Sequence, residues 1–167
     1  MTAERQERKQ WGARIAAFAG LFAVMLLAGP SGSLANPTET IVVDWHTGLA
    51  IDGYDPVAFY TDRKPMRGSA DFELRYGGVV WRFCNIGNRA AFAARPDIYM
   101  PQFGGYDPLG VARGVAVAGN PTVWLINGER LFLFYDNARL ETFRADAARL
   151  TVTAERRWPQ VRNTLSP

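Results

Sequence analysis

The sequence predicts a small single α+β domain with two β-hairpins, short helices between them and a C-terminal helical segment. Alternating apolar and polar residues on both sides of Gly77-Gly78, and again around Asn127-Gly128, predict the two hairpins. Phe143, Ala147 and Leu150 are spaced to form one buried helical stripe near the C-terminus. Because strands and helices do not alternate regularly, the order is typical of α+β rather than βαβ proteins.

The first hairpin is predicted over Asp71–Tyr76 and Val79–Phe83, with the two glycines as its turn. Glycine suits a two-residue turn because it adopts positive φ without steric cost. Asn85 then stands where a helix cap is expected. A short helix over Gly87–Ala94 should end before Pro96, since the residue preceding a proline avoids helical geometry.

The second hairpin is predicted over Pro121–Ile126 and Arg130–Tyr135. Its second strand carries apolar side chains on both faces, which indicates a central position. Helices are predicted over Asn137–Leu150 and about Thr153–Leu165, with Trp158-Pro159 interrupting or starting the last one.

The segments before and between the hairpins are predicted from turn residues. The β-branched run Glu39–Trp45 indicates a strand or an extended arm. Asp55 is a candidate cap for a single helical turn ending at Phe59. The glycine-rich run Gln102–Gly114 is predicted to wrap closely around other backbone. The sequence is interpreted as free of internal repeats.

The N-terminus has the features of a secretory signal over residues 1–35. Met1–Arg14 is cationic, and the 13 residues of Ile15–Leu27 are uncharged. At 1.5 Å per residue this run spans about 20 Å, which is shorter than the membrane core. Gly29-Pro30 breaks any helix, and Ser33-Leu34-Ala35 is typical of a cleavage site. The alternative is an uncleaved membrane anchor. Cleavage predicts an exported protein, periplasmic or secreted.

Removing the signal leaves an N-terminal arm over residues 36–49 and a domain over residues 50–167. The signal holds four of the 19 basic residues and two of the 16 acidic residues, which leaves 15 against 14. A chain this close to neutral, without a run of five or more basic residues, gives no reason to expect nucleic-acid binding. A membrane would be contacted only through an uncleaved signal.

Few residues have side chains suited to catalysis or metal binding, and no catalytic set can be assembled from them. His46 is the only histidine, so a two-histidine metal motif is excluded. Glycine-rich phosphate loops and dinucleotide fingerprints are not found. The sequence therefore predicts a binding module rather than an enzyme.

Cys84 is the only cysteine, so no disulfide can form within one chain. It is predicted at the end of a strand just before a helix, where the helix dipole would lower the thiol pKa. His46, Met66 and Met100 are further candidate ligands for a copper ion. The alternative is a small buried hydrophobic residue, as cysteine often is.

Seven motifs follow one another along the chain after the predicted signal. They are Ile51–Tyr60, Trp81-Arg82-Phe83, Asn88–Phe92, Pro96–Pro101, Gln102–Tyr106, Asn127–Phe134 and Trp158-Pro159. Together these motifs resemble the secreted YHS-domain family. The resemblance runs in order from about Ala50 to Leu165 and covers nearly all of the chain after the predicted signal.

This resemblance implies a small α+β module associated with a copper, zinc or iron ion. It implies Cys84 as the main metal ligand, with Asp107 and His46 as candidate partners. Many secreted relatives have cysteine where this chain has Asp107, so the site would not have two thiolates. The implied partners are a metal ion or a periplasmic protein.

The second functional hypothesis is a domain that binds a ligand or a protein through an aromatic cleft. It predicts that Tyr54, Trp81, Tyr106 and Trp124 line one apolar pocket and that Cys84 is inert and buried.

Overall fold

A computed structural model describes residues 40–165, so the predicted signal and its cleavage site lie outside the described residues. Within this range the chain forms six helices and two antiparallel hairpins, which confirms the predicted α+β class. None of the helices in this range is both long and apolar enough to cross a membrane. The elements are α1 (Ala58–Thr61), β1 (Ser69–Tyr76), β2 (Val79–Phe83), α2 (Ile86–Ala94), α3 (Pro96–Tyr99), α4 (Pro108–Ala112), β3 (Asn120–Asn127), β4 (Arg130–Phe134), α5 (Asn137–Ala145) and α6 (Ala147–Leu165).

Both hairpins form where alternation predicts them. In the first, Gly77 and Gly78 make the turn with φ of 62° and 85°. In the second, Gly128 and Glu129 make the turn, with φ of 56° and 61°, and Asn127 pairs with Arg130 across the strands. The second turn therefore begins one residue later than Asn127-Gly128, because Asn127 is needed for the last pair of the ladder.

The helix cap predicted at Asn85 forms, whereas the predicted interruption or start of a helix at Trp158-Pro159 is wrong. Asn85 caps α2, and its side chain accepts a hydrogen bond from the Asn88 amide at 2.8 Å. Glu39–Trp45 forms no strand within its described part, only an isolated bridge between Val43 and Ala50. Trp158-Pro159 lies inside α6 without interrupting it. The run 102–114 lies closely against other backbone, as predicted, since a Cβ atom at Gly104 would clash with the Thr40 carbonyl oxygen. The run also contains helix α4, which starts at Pro108.

Two hydrophobic cores hold the domain together, and β4 lies between them. Leu131 and Leu133 belong to the first core, whereas Phe132 and Phe134 belong to the second. All four side chains are at most 1% exposed, so both faces of β4 are buried, although its sheet has only two strands. The predicted arm contributes to this packing, because Ile41 joins the first core and Val42 the second.

The structure also reveals an internal repeat, so the interpretation of the sequence as repeat-free is wrong. The tetrapeptide Gly-Tyr-Asp-Pro occurs at Gly53–Pro56 and at Gly105–Pro108. Each copy is followed by a hairpin and a capped helix of nine residues, α2 in the first and α5 in the second. The repeated tetrapeptide is the signal of this duplication in the sequence.

Hydrogen bonds around the two tetrapeptides are nearly identical. The Gly68 amide donates to the Gly53 carbonyl at 2.9 Å, and the Gly119 amide donates to the Gly105 carbonyl at 3.0 Å. The amides of Asp55 and Asp107 donate to carbonyls of the following segment, each at 2.8 Å. The two halves are therefore two copies of one supersecondary unit, which we call the first and second repeats.

Candidate functional site

Asp55 is a fully buried carboxylate at the centre of the first repeat. Its Oδ1 accepts hydrogen bonds from the amides of Val57 and Ala58 at 2.8 and 3.3 Å. Its Oδ2 accepts from the Cys84 amide and from Asn88 Nδ2, both at 2.7 Å. Asp55 thus joins the start of α1, the end of β2 and helix α2.

Asp107 holds the same position in the second repeat and is also fully buried. Its Oδ1 caps α4 by accepting from the amides of Leu109 and Gly110 at 2.8 and 2.9 Å. Its Oδ2 accepts from the Tyr135 amide at 2.9 Å, and Arg139 forms an ion pair with Oδ1 at 3.3 Å. Both oxygens of Asp107 therefore make structural contacts within the second repeat.

Cys84 lies beside Asp55 rather than beside Asp107, its predicted partner in a metal site. Its thiol is half-buried and donates to the Arg67 carbonyl at 3.6 Å. Burial, and then the negative charge of Asp55, raise the pKa of Cys84 to about 11. The predicted lowering of the pKa is therefore wrong, because burial and then the nearby Asp55 carboxylate disfavour the thiolate.

His46 lies on an exposed turn formed around Asp44. The Asp44 carboxylate accepts hydrogen bonds from the side chain and amide of Thr47 and from the His46 amide, and these lower the pKa of Asp44. The His46 ring packs on Trp45, which is 83% exposed. Across residues 40–165 no three His, Cys, Asp or Glu side chains converge, so Cys84, Asp107 and His46 do not form one preassembled metal site.

The four predicted cleft aromatics do not line one pocket either. Trp81 is fully buried in the first core, and its indole donates to the Tyr76 carbonyl at 3.1 Å. Tyr106 belongs to the second core. Trp124 packs edge-on against Phe59, whereas Tyr54 lies under the Arg67 guanidinium at 4.7 Å. These aromatics mainly fill the two cores.

A different set of aromatic side chains does line a groove, of about 570 Å³. Trp158 of α6 packs against Phe103 with ring centroids 5.7 Å apart, and both side chains line the groove wall. Sequence patterns do not reveal this site because its walls come from distant segments. Its lining residues are Thr40, Ile41, Tyr76, Gly77, Asp97, Met100, Pro101, Gln102, Phe103, Gly104, Trp158 and Arg162.

Arg130 holds two walls of this groove in position. Its guanidinium donates to Gln102 Oε1 at 2.6 Å and forms an ion pair with Glu155 at 2.7 Å. Gln102 belongs to the turn that carries Phe103, and Glu155 lies on α6 less than one turn before Trp158. The spacing between these walls is therefore set in part by Arg130, which does not itself line the groove.

The raised pKa of Cys84 gives a direct prediction for its reactivity. At pH 7 only about one thiol in ten thousand should be ionised when the pKa is about 11. We expect the rate of alkylation by iodoacetamide to rise about tenfold per pH unit from pH 7 to 10. Mass spectrometry would follow the reaction, with N-acetylcysteine as the control. A plateau near pH 8.5, as for a free thiol, would contradict the assigned environment.

The same pKa links Cys84 to stability. The folded protein holds the thiol proton more tightly than the unfolded chain does, since the unfolded pKa is about 8.5. This contribution to stability is therefore present below pH 8.5 and is lost as the pH rises towards 11.

Comparison with known proteins adds no relative to this description. No family model, no curated protein and no solved structure matches the chain.

Proposed function

We propose that this chain is an exported YHS-like binding module that holds an apolar ligand in the groove beside Trp158. The groove carries this proposal: its volume of about 570 Å³ lies within the range of small-molecule sites, roughly 300–1,000 Å³. Its walls combine aromatic and apolar side chains with a few polar groups, as such sites usually do. Another cavity, of about 490 Å³ between α4, α5 and α6, has no aromatic side chain in its lining.

Indole is a suitable first probe because it is neutral, planar and small enough for the groove. We expect it to shift the backbone amide signals of residues 102–104 and the indole N–H signal of Trp158 in ¹H–¹⁵N spectra. Trp158→Leu should weaken binding about tenfold, which corresponds to the loss of one aromatic contact of about 1.4 kcal/mol.

The matched control is Trp45→Leu, since Trp45 is 83% exposed and does not line the groove. This variant should bind indole with unchanged affinity. The proposal would be refuted if millimolar indole shifted only the signals of Trp45. It would also be refuted if no signal of the groove residues shifted.

A second candidate function is binding of a soft metal ion, such as copper in its +1 state, by Cys84. The supporting observation is that the sulfur is half-buried among polar atoms instead of being sealed in a core. Binding would form one sulfur–metal bond and release the thiol proton, so affinity should fall as the pH falls. Cys84 is the only cysteine of the chain, so a second thiolate would have to come from a partner.

Metal content measured on the purified protein and on Cys84→Ser would test this second candidate. Near-stoichiometric copper, zinc or iron in the native protein and none in the variant would support it. No metal in either sample after loading with copper under reducing conditions would leave the groove as the binding site.

A further inference from the structure

The charged groups that line the groove do not balance one another. Asp97 is engaged by Arg95, whose Nε and Nη2 donate to its two oxygens at 3.2 and 3.1 Å. This pairing lowers the pKa of Asp97 and offsets its charge. Arg162 forms no ion pair with any residue of the 40–165 range. Among the described residues of the groove, Arg162 is therefore a cation without an ion-pair partner, and its charge is available to an anionic ligand.

Arg162 is positioned to act together with Trp158. The two residues are four apart on α6, so their side chains emerge on the same face of the helix, and both line the groove. Arg162 lies in the last turn of α6, where the helix carbonyls stabilise a cation even without a bound anion. The groove thus places an aromatic wall next to a guanidinium.

We infer that the ligand is a small amphipathic carboxylic acid, with its carboxylate on Arg162 and its apolar body against the wall that Trp158 and Phe103 form together. A guanidinium binds a carboxylate through two parallel N–H donors, which gives strength and orientation together. Tyr76, Met100 and Phe103 supply the apolar wall along which the body of the acid lies. This inference rests on the groove being the binding site proposed above, and it adds the class of ligand.

The test compares 3-phenylpropionate with its neutral amide, 3-phenylpropionamide, because the two probes share one apolar body. Titrations followed by ¹H–¹⁵N spectra should place both in the groove, with the acid bound at least about tenfold more tightly. Arg162→Gln should weaken binding of the acid to the level of the amide and leave the amide unchanged. The difference in affinity between the acid and the amide should also decrease as salt is added.

The matched control is Arg156→Gln, another exposed arginine of α6 that does not line the groove. It should bind both probes as the native protein does, and thermal unfolding should show that neither variant loses the fold. Equal affinity for acid and amide in the native protein would overturn the inference, although the groove would remain a ligand site. Equal weakening of both probes by Arg162→Gln would overturn it in the same way. If neither probe shifts any groove signal, the proposed function fails, and this inference fails with it.

Discussion

Replacing Asp107 with alanine is expected to lower the free energy of unfolding by about 3–5 kcal/mol. The carboxylate is fully buried, and the substitution leaves three amide donors without an acceptor. It also removes the cap of α4 and the ion pair with Arg139. Chemical denaturation followed by circular dichroism would measure the change. We expect a loss of similar size for Asp55→Ala, because Asp55 joins the same elements in the first repeat.

Asp97→Ala is the matched control for this prediction. Asp97 also forms an ion pair with an arginine, but the two side chains are 66% and 60% exposed. Exposed pairs contribute little, so this variant should change stability by no more than about 0.5 kcal/mol. If Asp107→Ala were as mild as Asp97→Ala, the buried carboxylates would not be the centres of the two repeats.

Gly68→Ala is expected to cost about 2–3 kcal/mol for a purely steric reason. A Cβ atom at Gly68 would lie 2.4 Å from the Arg82 carbonyl carbon and 2.4 Å from the Phe83 nitrogen. Both are backbone atoms of β2, so they cannot move aside as a flexible side chain can. Gly119, its equivalent in the second repeat, is similarly restricted by the Gly105 carbonyl oxygen at 2.6 Å.

Gly114→Ala separates this packing effect from backbone strain. Gly114 has φ of +83°, and a Cβ atom there would have nothing within 4 Å, so alanine should cost about 1 kcal/mol from conformation alone. Thermal unfolding of the two variants side by side would measure the difference. Equal losses would show that the segment at Gly68 does not lie closely against β2.

Local sequence signals predict the elements that depend on neighbouring residues. The alternation around Gly77-Gly78 predicts the first hairpin, and Asn85 predicts the start of α2, because turns and caps depend on contacts within a few residues. For Glu39–Trp45 the β-branched pattern left a strand and an extended arm as alternatives, and no strand forms in the described part. Its buried residues pack into two cores instead of pairing as a strand, and strand propensity is readily overridden by such packing.

The candidate sites depend on contacts with distant residues, which local sequence signals do not encode. The place of Cys84 before a helix predicts a lowered pKa, but Asp55, 29 residues away in sequence, helps to reverse the direction of the shift. The sequence favours Trp81 and Tyr106 as cleft residues, although their size and burial make them core residues. A single side chain carries no information about which distant atoms will surround it.

The α+β class, both hairpins and the Asn85 cap follow from the sequence, because periodicity and turn chemistry act over short ranges. The repeated Gly-Tyr-Asp-Pro of residues 53–56 and 105–108 also signals the duplication. In contrast, the burial of the two aspartates and the position of Phe103, Trp158 and Arg162 in one groove are seen only in the folded chain. Burial and convergence depend on contacts between residues far apart in the chain, which periodicity does not encode.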